Sequence, residues 1–118
     1  VANLGSYTVS VLLGNGDGTF QTHVQYGVGR GPYSVTTGDL DGDGDLDLAV
    51  ANLWSDTVSV LLGNGDGTFR SQAQYEVGRR PHSLTTGDLD GDGDLDLAVA
   101  NYVSDTVSVL LGNGDGTF

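Results

Sequence analysis

Cysteine, lysine and methionine are absent from this 118-residue sequence, and proline occurs only twice. Without cysteine there are no disulfides and no thiolate chemistry. The basic side chains are four arginines against 16 acidic residues, a formal net charge of −12. Nucleic acids and anionic membrane surfaces are gripped by basic patches, so this balance argues against nucleic-acid binding and membrane insertion and suits a cation. No apolar run approaches the ~18 residues of a membrane-spanning helix. No signal peptide is visible either. A translated chain begins with Met, so this one is expected to be processed or a window of something longer. The missing signal then says nothing about secretion.

What is abundant is glycine, 20 residues of it, and aspartate. The acidity is not spread as on a solvated surface. Five aspartates fall within residues 39–47 and five within 88–96, which calls for a local reason. The clusters belong to an internal repeat. Residues 12–20, Leu-Leu-Gly-Asn-Gly-Asp-Gly-Thr-Phe, recur as 61–69 and 110–118, and residues 39–52 recur as 88–101. The chain therefore divides into a partial repeat, 1–20, and two repeat units, 21–69 and 70–118, with the Asp-rich loops at 39–47 and 88–96. The aspartates of these loops, the glycines of the Gly-Asn-Gly-Asp-Gly run and the alternating apolar residues keep their identity from unit to unit. Equivalent positions such as Gly5, Trp54 and Val103, or Tyr33 and His82, do not.

The pattern is all-β. Thr8-Val9-Ser10-Val11-Leu12 alternates with period two, as a half-buried strand does. Leu46, Leu48 and Val50 share one face of a second strand, with Ala49 and Ala51 on the other. Residues 23–28 and 34–37 supply two more. Gly-Asn-Gly-Asp-Gly is hairpin-turn chemistry, because Gly and Asn tolerate positive φ, and Gly29-Arg30-Gly31-Pro32 marks another turn. Four short antiparallel strands per repeat match a β-propeller blade. The expectation is about two blades plus one extra strand. A parallel β-solenoid fits less well, having shorter rungs.

The Asp-rich loops read Asp-x-Asp-x-Asp-Gly-x-x-Asp. Ca²⁺ takes about six to eight hard oxygen ligands at about 2.3–2.6 Å. Carboxylates of Asp39, Asp41 and Asp43, and of Asp88, Asp90 and Asp92, can point inward from a tight loop. Gly44 and Gly93 allow the closing turn. Asp45 and Asp94 would offer backbone carbonyls, and Asp47 and Asp96 would complete the shell from the next strand. One Ca²⁺ per loop is expected. The alternative is a solvated acidic turn, but two carboxylates ~4 Å apart repel by ~4 kcal/mol at an effective dielectric of ~20, and each loop holds several such pairs. An EF-hand would need an acid at position 12, where Val50 and Val99 stand, and helical flanks. The tandem nonapeptides of a calcium β-roll are missing.

Other constellations are weaker. The Gly-x-Gly-x-Gly run has no helix after it to hold a phosphate. Asn15, Asp17 and their copies read as turn residues. His23 and His82 have no partner at metal spacing, and no Gly-x-Ser-x-Gly elbow occurs. Trp54, present in one unit only, is expected in loop packing or a contact between subunits rather than in a repeated sugar site.

Gly38-Asp39-Leu40-Asp41-Gly42-Asp43-Gly44-Asp45-Leu46-Asp47-Leu48-Ala49-Val50-Ala51-Asn52, followed by Thr57-Val58-Ser59-Val60-Leu61-Leu62-Gly63-Asn64-Gly65-Asp66-Gly67-Thr68-Phe69, resembles the FG-GAP/VCBS repeat family. This family includes the calcium-bearing blades of integrin α-subunit propellers. The resemblance covers essentially the whole chain. It implies blades of a seven-bladed propeller, an extracellular or cell-surface location, structural Ca²⁺ and an adhesive, ligand-binding or architectural role. Seven such units would need roughly 340 residues, and this chain holds little more than two. The expectation is a non-enzymatic, calcium-stabilised scaffold segment of an adhesive protein, or else a protomer of an extracellular filament of stacked repeats. Its partners would be further copies of the repeat and an extracellular protein or glycan. Val9, Val11, Val107 and Val109 are expected to pack against further repeats.

Overall fold

Ten β-strands and no helix make up the computed structural model, which describes Val1–Phe118. The strands are β1 (Ala2–Asn3), β2 (Thr8–Val11), β3 (Val24–Gly27), β4 (Pro32–Gly38), β5 (Asp47–Asn52), β6 (Thr57–Leu61), β7 (Ala73–Glu76), β8 (Pro81–Gly87), β9 (Asp96–Asn101) and β10 (Thr106–Leu110). They form three antiparallel meanders, β1-β2-β3, β4-β5-β6-β7 and β8-β9-β10. The blade of four antiparallel strands is complete in the central sheet, and partial blades flank it. Residues 1–20 contribute two strands where the pattern pointed to one. Ala2 and Asn3 copy the end of β5 and pair with Val9 and Thr8, as Ala51 and Asn52 pair with Val58 and Thr57.

The central strands are buried on both faces because a sheet packs on each side. Leu48 and Val50 of β5, with Leu61 of β6, meet Val9 of β2 and Val28, the residue after β3. Ala49 and Ala51, with Val58 and Val60, receive Leu84, Leu97 and Val99 of the third sheet. The small alanines let the larger aliphatics of the next sheet approach, which is how interior packing density is reached. Burying such a Val or Leu side chain is worth about 1.5–3 kcal/mol. Val9 thus packs within the chain. Val107 and Val109, the copies of Val58 and Val60, stay 65% and 54% exposed.

The polar face of the alternation is hydrogen-bonded internally, apart from the buried Oδ1 atoms of Asn52 and Asn101, which have no partner. Asn52 Nδ2 donates to Thr57 Oγ1 (3.1 Å) and Ser59 Oγ (2.8 Å), and Gly29 N–H donates to the same hydroxyl (3.2 Å). Asn101 repeats this with Thr106 and Ser108. In a meander the turns alternate ends. The β4–β5 and β8–β9 connections and the Gly-Asn-Gly-Asp-Gly hairpins therefore share one end of the sheets. The β3–β4, β5–β6 and β7–β8 turns share the other. Trp54 lies at that second end, its ring over Gly31, where a Cβ would come within 2.6 Å of it. This is the loop packing expected of it.

Candidate metal centre

Each Asp-rich loop joins the end of one strand to the start of the next, β4 to β5 and β8 to β9. Two glycines with positive φ fold each one: Gly42 and Gly44 (75° and 90°), Gly91 and Gly93 (82° and 98°). Between them the aspartates wrap the backbone. Asp39 accepts from Gly42 N–H (2.8 Å) and Gly44 N–H (3.0 Å), Asp41 from Asp43 N–H (3.2 Å) and Asp43 from Asp45 N–H (2.8 Å). The second loop repeats this: Asp88 accepts from Gly91 (2.7 Å) and Gly93 (3.1 Å), Asp90 from Asp92 (3.2 Å) and Asp92 from Asp94 (2.9 Å).

The result is convergence. Carboxylate oxygens of Asp39, Asp41 and Asp43 lie within 4.8 Å of one another, and so do those of Asp88, Asp90 and Asp96. All the hydrogen bonds named come from backbone N–H groups, and no cationic side chain supplies one. Desolvation pushes the Asp41 carboxyl above its ordinary pKa, and the charges of Asp47 and Asp43 add to this against the Asp43 N–H. Asp90 is likewise raised by desolvation, with Asp92 and Asp96 adding to it. The donor set is all oxygen, with no imidazole or thiolate, and it fits a hard cation.

Asp47 and Asp96 do something further. Asp47 is fully buried. Its Oδ2 accepts from Leu40 N–H and its Oδ1 from Gly63 N–H, both at 2.7 Å. Asp96 takes Leu89 N–H (2.6 Å) and Gly112 N–H (2.8 Å). The N–H groups of Gly112 and Leu89 hold the Asp96 carboxyl below the usual carboxylate range. These carboxylates latch the loop to the hairpin of the same repeat. The side chains of Asp45 and Asp94 lie over the hairpin glycines Gly65 and Gly114, where any Cβ would collide with the carboxylate. Their carboxylates are thus turned to the hairpin and are not among the converging groups of either loop. The latch partners Gly63 and Gly112 escaped sequence reasoning. Their one signal was identity in each repeat, and 16 residues separate each from its aspartate.

A family model for the FG-GAP-like repeat matches residues 1–50 and again residues 39–99. The chain belongs to the FG-GAP-like repeat family. Comparison with the curated proteins and with the solved structures returned no match. Membership makes the chain a repeat structural module built of β-strands. In these FG-GAP-like repeats the Gly-Asn-Gly-Asp-Gly segments are turns. Asp17 Oδ1 accepts both the N–H (2.9 Å) and the hydroxyl (2.6 Å) of Thr19, and Asp66 and Asp115 do the same for Thr68 and Thr117. Those hydroxyl and N–H donors keep all three carboxyls below the ordinary aspartate pKa. His23 and His82 are exposed, and His82 stacks against Tyr33 with ring centroids 4.3 Å apart. No helix of the chain is long and apolar enough to cross a membrane.

Proposed function

We propose that this chain is an extracellular calcium-binding scaffold module, with one structural Ca²⁺ in residues 39–47 and one in 88–96. The observation that carries the reading is the convergence of three carboxylates in each loop with no positive partner. Asp39, Asp41 and Asp43, with the Asp45 carbonyl and Asp47, would hold the first ion; Asp88, Asp90, Asp92, Asp96 and the Asp94 carbonyl would hold the second. When bound, the ion supplies the positive charge that the repelling carboxylates lack. The chain's own part is to orient those oxygens, through the Asp39 and Asp88 bonds to the glycine N–H groups. It also fixes the ends of β4 and β8 to the starts of β5 and β9. The role is adhesive or architectural, presenting a repetitive surface to an extracellular protein or glycan, and it involves no catalysis. Extracellular calcium modules typically bind at about 10⁻⁴–10⁻³ M, a range that cytosolic calcium would not fill.

Calorimetric titration tests the reading: two calcium ions per chain are expected, and no heat of binding would refute it. A second reading, a filament protomer or a segment of a longer array, rests on Val107 and Val109. They are bare in this chain, whereas Val58 and Val60 are buried by the next sheet. The stacking modules would then be the sheets, the complete one running from Pro32 to Glu76 and so out of phase with the sequence units 21–69 and 70–118. Electron microscopy of the purified protein in millimolar calcium separates rings from open arrays.

A further inference from the structure

The two metal loops have the same sequence from Gly38 to Asn52 and from Gly87 to Asn101, yet their surroundings differ. Leu40 is 2% exposed and its copy Leu89 is 53% exposed. Asp39 and Asp41 are half-buried, while Asp88 and Asp90 are exposed. What closes over the first loop is the hairpin at residues 112–118, which belongs to the following repeat. Gly116 N–H donates to the Leu40 carbonyl (3.1 Å). A Cβ on Gly116 would lie 3.3 Å from Asp41 Cβ, and one on Gly42 would lie 3.5 Å from the Gly114 carbonyl. Phe118 and Leu95 pack on the core cluster that contains Leu40. The contacts each loop makes with its own repeat's hairpin, Asp47 to Gly63 and Asp96 to Gly112, are alike. They cannot be the source of the difference.

We infer that the Gly-Asn-Gly-Asp-Gly-Thr-Phe hairpin of one repeat is the cover of the metal loop of the repeat before it, so that within residues 1–118 the loop at 39–47 has its cover, the loop at 88–96 does not, and the two calcium sites of this 118-residue polypeptide are unequal. The inference rests on the calcium reading above. Leu40 lies between Asp39 and Asp41, so pinning its carbonyl fixes both neighbouring carboxylates before the ion arrives, and preorganisation of this kind raises affinity. Partial enclosure also strengthens the attraction between the ion and its ligands. In the 118-residue polypeptide the covered first loop is the tight site and the uncovered second loop the weak one. By linkage, calcium in the first loop holds the 112–118 hairpin down as firmly as the hairpin helps calcium bind.

Calorimetric calcium titration of the 118-residue chain tests this, with the Asp39→Asn/Asp41→Asn and Asp88→Asn/Asp90→Asn double variants to assign the sites. The first loop should bind about fivefold to tenfold more tightly, the effect of roughly one net hydrogen bond. A chain ending at Asp115 keeps Gly112 and Gly114 but loses Gly116 and Phe118. It should bring the first site down to the affinity of the second and leave the second unchanged. Independently of any truncation, amide exchange at Gly116 should slow on calcium addition in the unaltered protein and in Asp88→Asn/Asp90→Asn, and not in Asp39→Asn/Asp41→Asn. Two sites of equal affinity, or a Gly116 amide indifferent to calcium, would overturn the inference and leave the calcium reading standing. No binding at either site would overturn both.

Discussion

Replacing Asp47 by Asn exchanges one carboxylate oxygen for an NH₂ group at a position closed to solvent. Both oxygens are in use, one on Leu40 N–H and one on Gly63 N–H. A hydrogen bond to a charged group contributes about 1.5–3 kcal/mol, and a buried donor left unsatisfied costs about 1–3 kcal/mol. Asn keeps one neutral acceptor and turns its NH₂ toward the other N–H, so one bond weakens and one is lost. Against this, removing the charge relieves the repulsion that Asp41 feels from Asp47, worth less than about 1 kcal/mol at a loop half open to water. The net expectation is a loss of about 2–4 kcal/mol, a fall in Tm of the order of 10 °C for a chain of this size. The assay is thermal unfolding followed by circular dichroism, run in EDTA and in millimolar calcium. The penalty should appear in both, because the latch works without the ion. Asp39→Asn alters a half-buried side chain whose N–H partners are exposed glycines, so its penalty should be small in EDTA and larger in calcium. An Asp47→Asn protein that melts like the parent in EDTA would refute the latch argument and leave Asp47 as a metal ligand only.

For the unaltered chain, EDTA should lower Tm: free calcium at about 100 times Kd stabilises by about 2.7 kcal/mol per site, and an unchanged melt would mean the loops are not structural metal sites. Gly29→Ala should destabilise by at least ~2 kcal/mol, because its Cβ would fall 2.5 Å from Asn52 Nδ2, whereas Gly5→Ala, with nothing within 4 Å, should stay within ~0.5 kcal/mol; denaturant melts of the pair check this. Thr68 holds the Asp66 carboxyl low, so the stability it lends is present above the ordinary aspartate value of 3.8 and is lost as the pH falls through the folded value. Thr68→Val should raise the Asp66 pKa in an NMR titration and flatten the acid limb of the stability curve in EDTA.

Much of this architecture is legible in the sequence because it is local. Period-two alternation in Thr-Val-Ser-Val places strands β2, β6 and β10, and the spacing of Asp39, Asp41 and Asp43 around two glycines puts their carboxylates in one loop, since a tight turn needs no distant partner. The brief β1 was missed because two residues carry too little pattern to stand out from a turn. The latch of Asp47 was missed because Gly63 comes beside it only when β5 and β6 pair.

Sequence by itself determined the strands, the hairpins, the family and the aspartates that gather in each loop, all set by backbone preference and spacing over a few residues. It could not separate residues 39–47 from residues 88–96, because they are the same nine residues in the same order. Only tertiary structure decided that Leu40 is covered and Leu89 is open. The cover is a hairpin more than 70 residues further along, brought over the first loop by the packing of Leu84, Leu97 and Val99 into the alanine face of the central sheet.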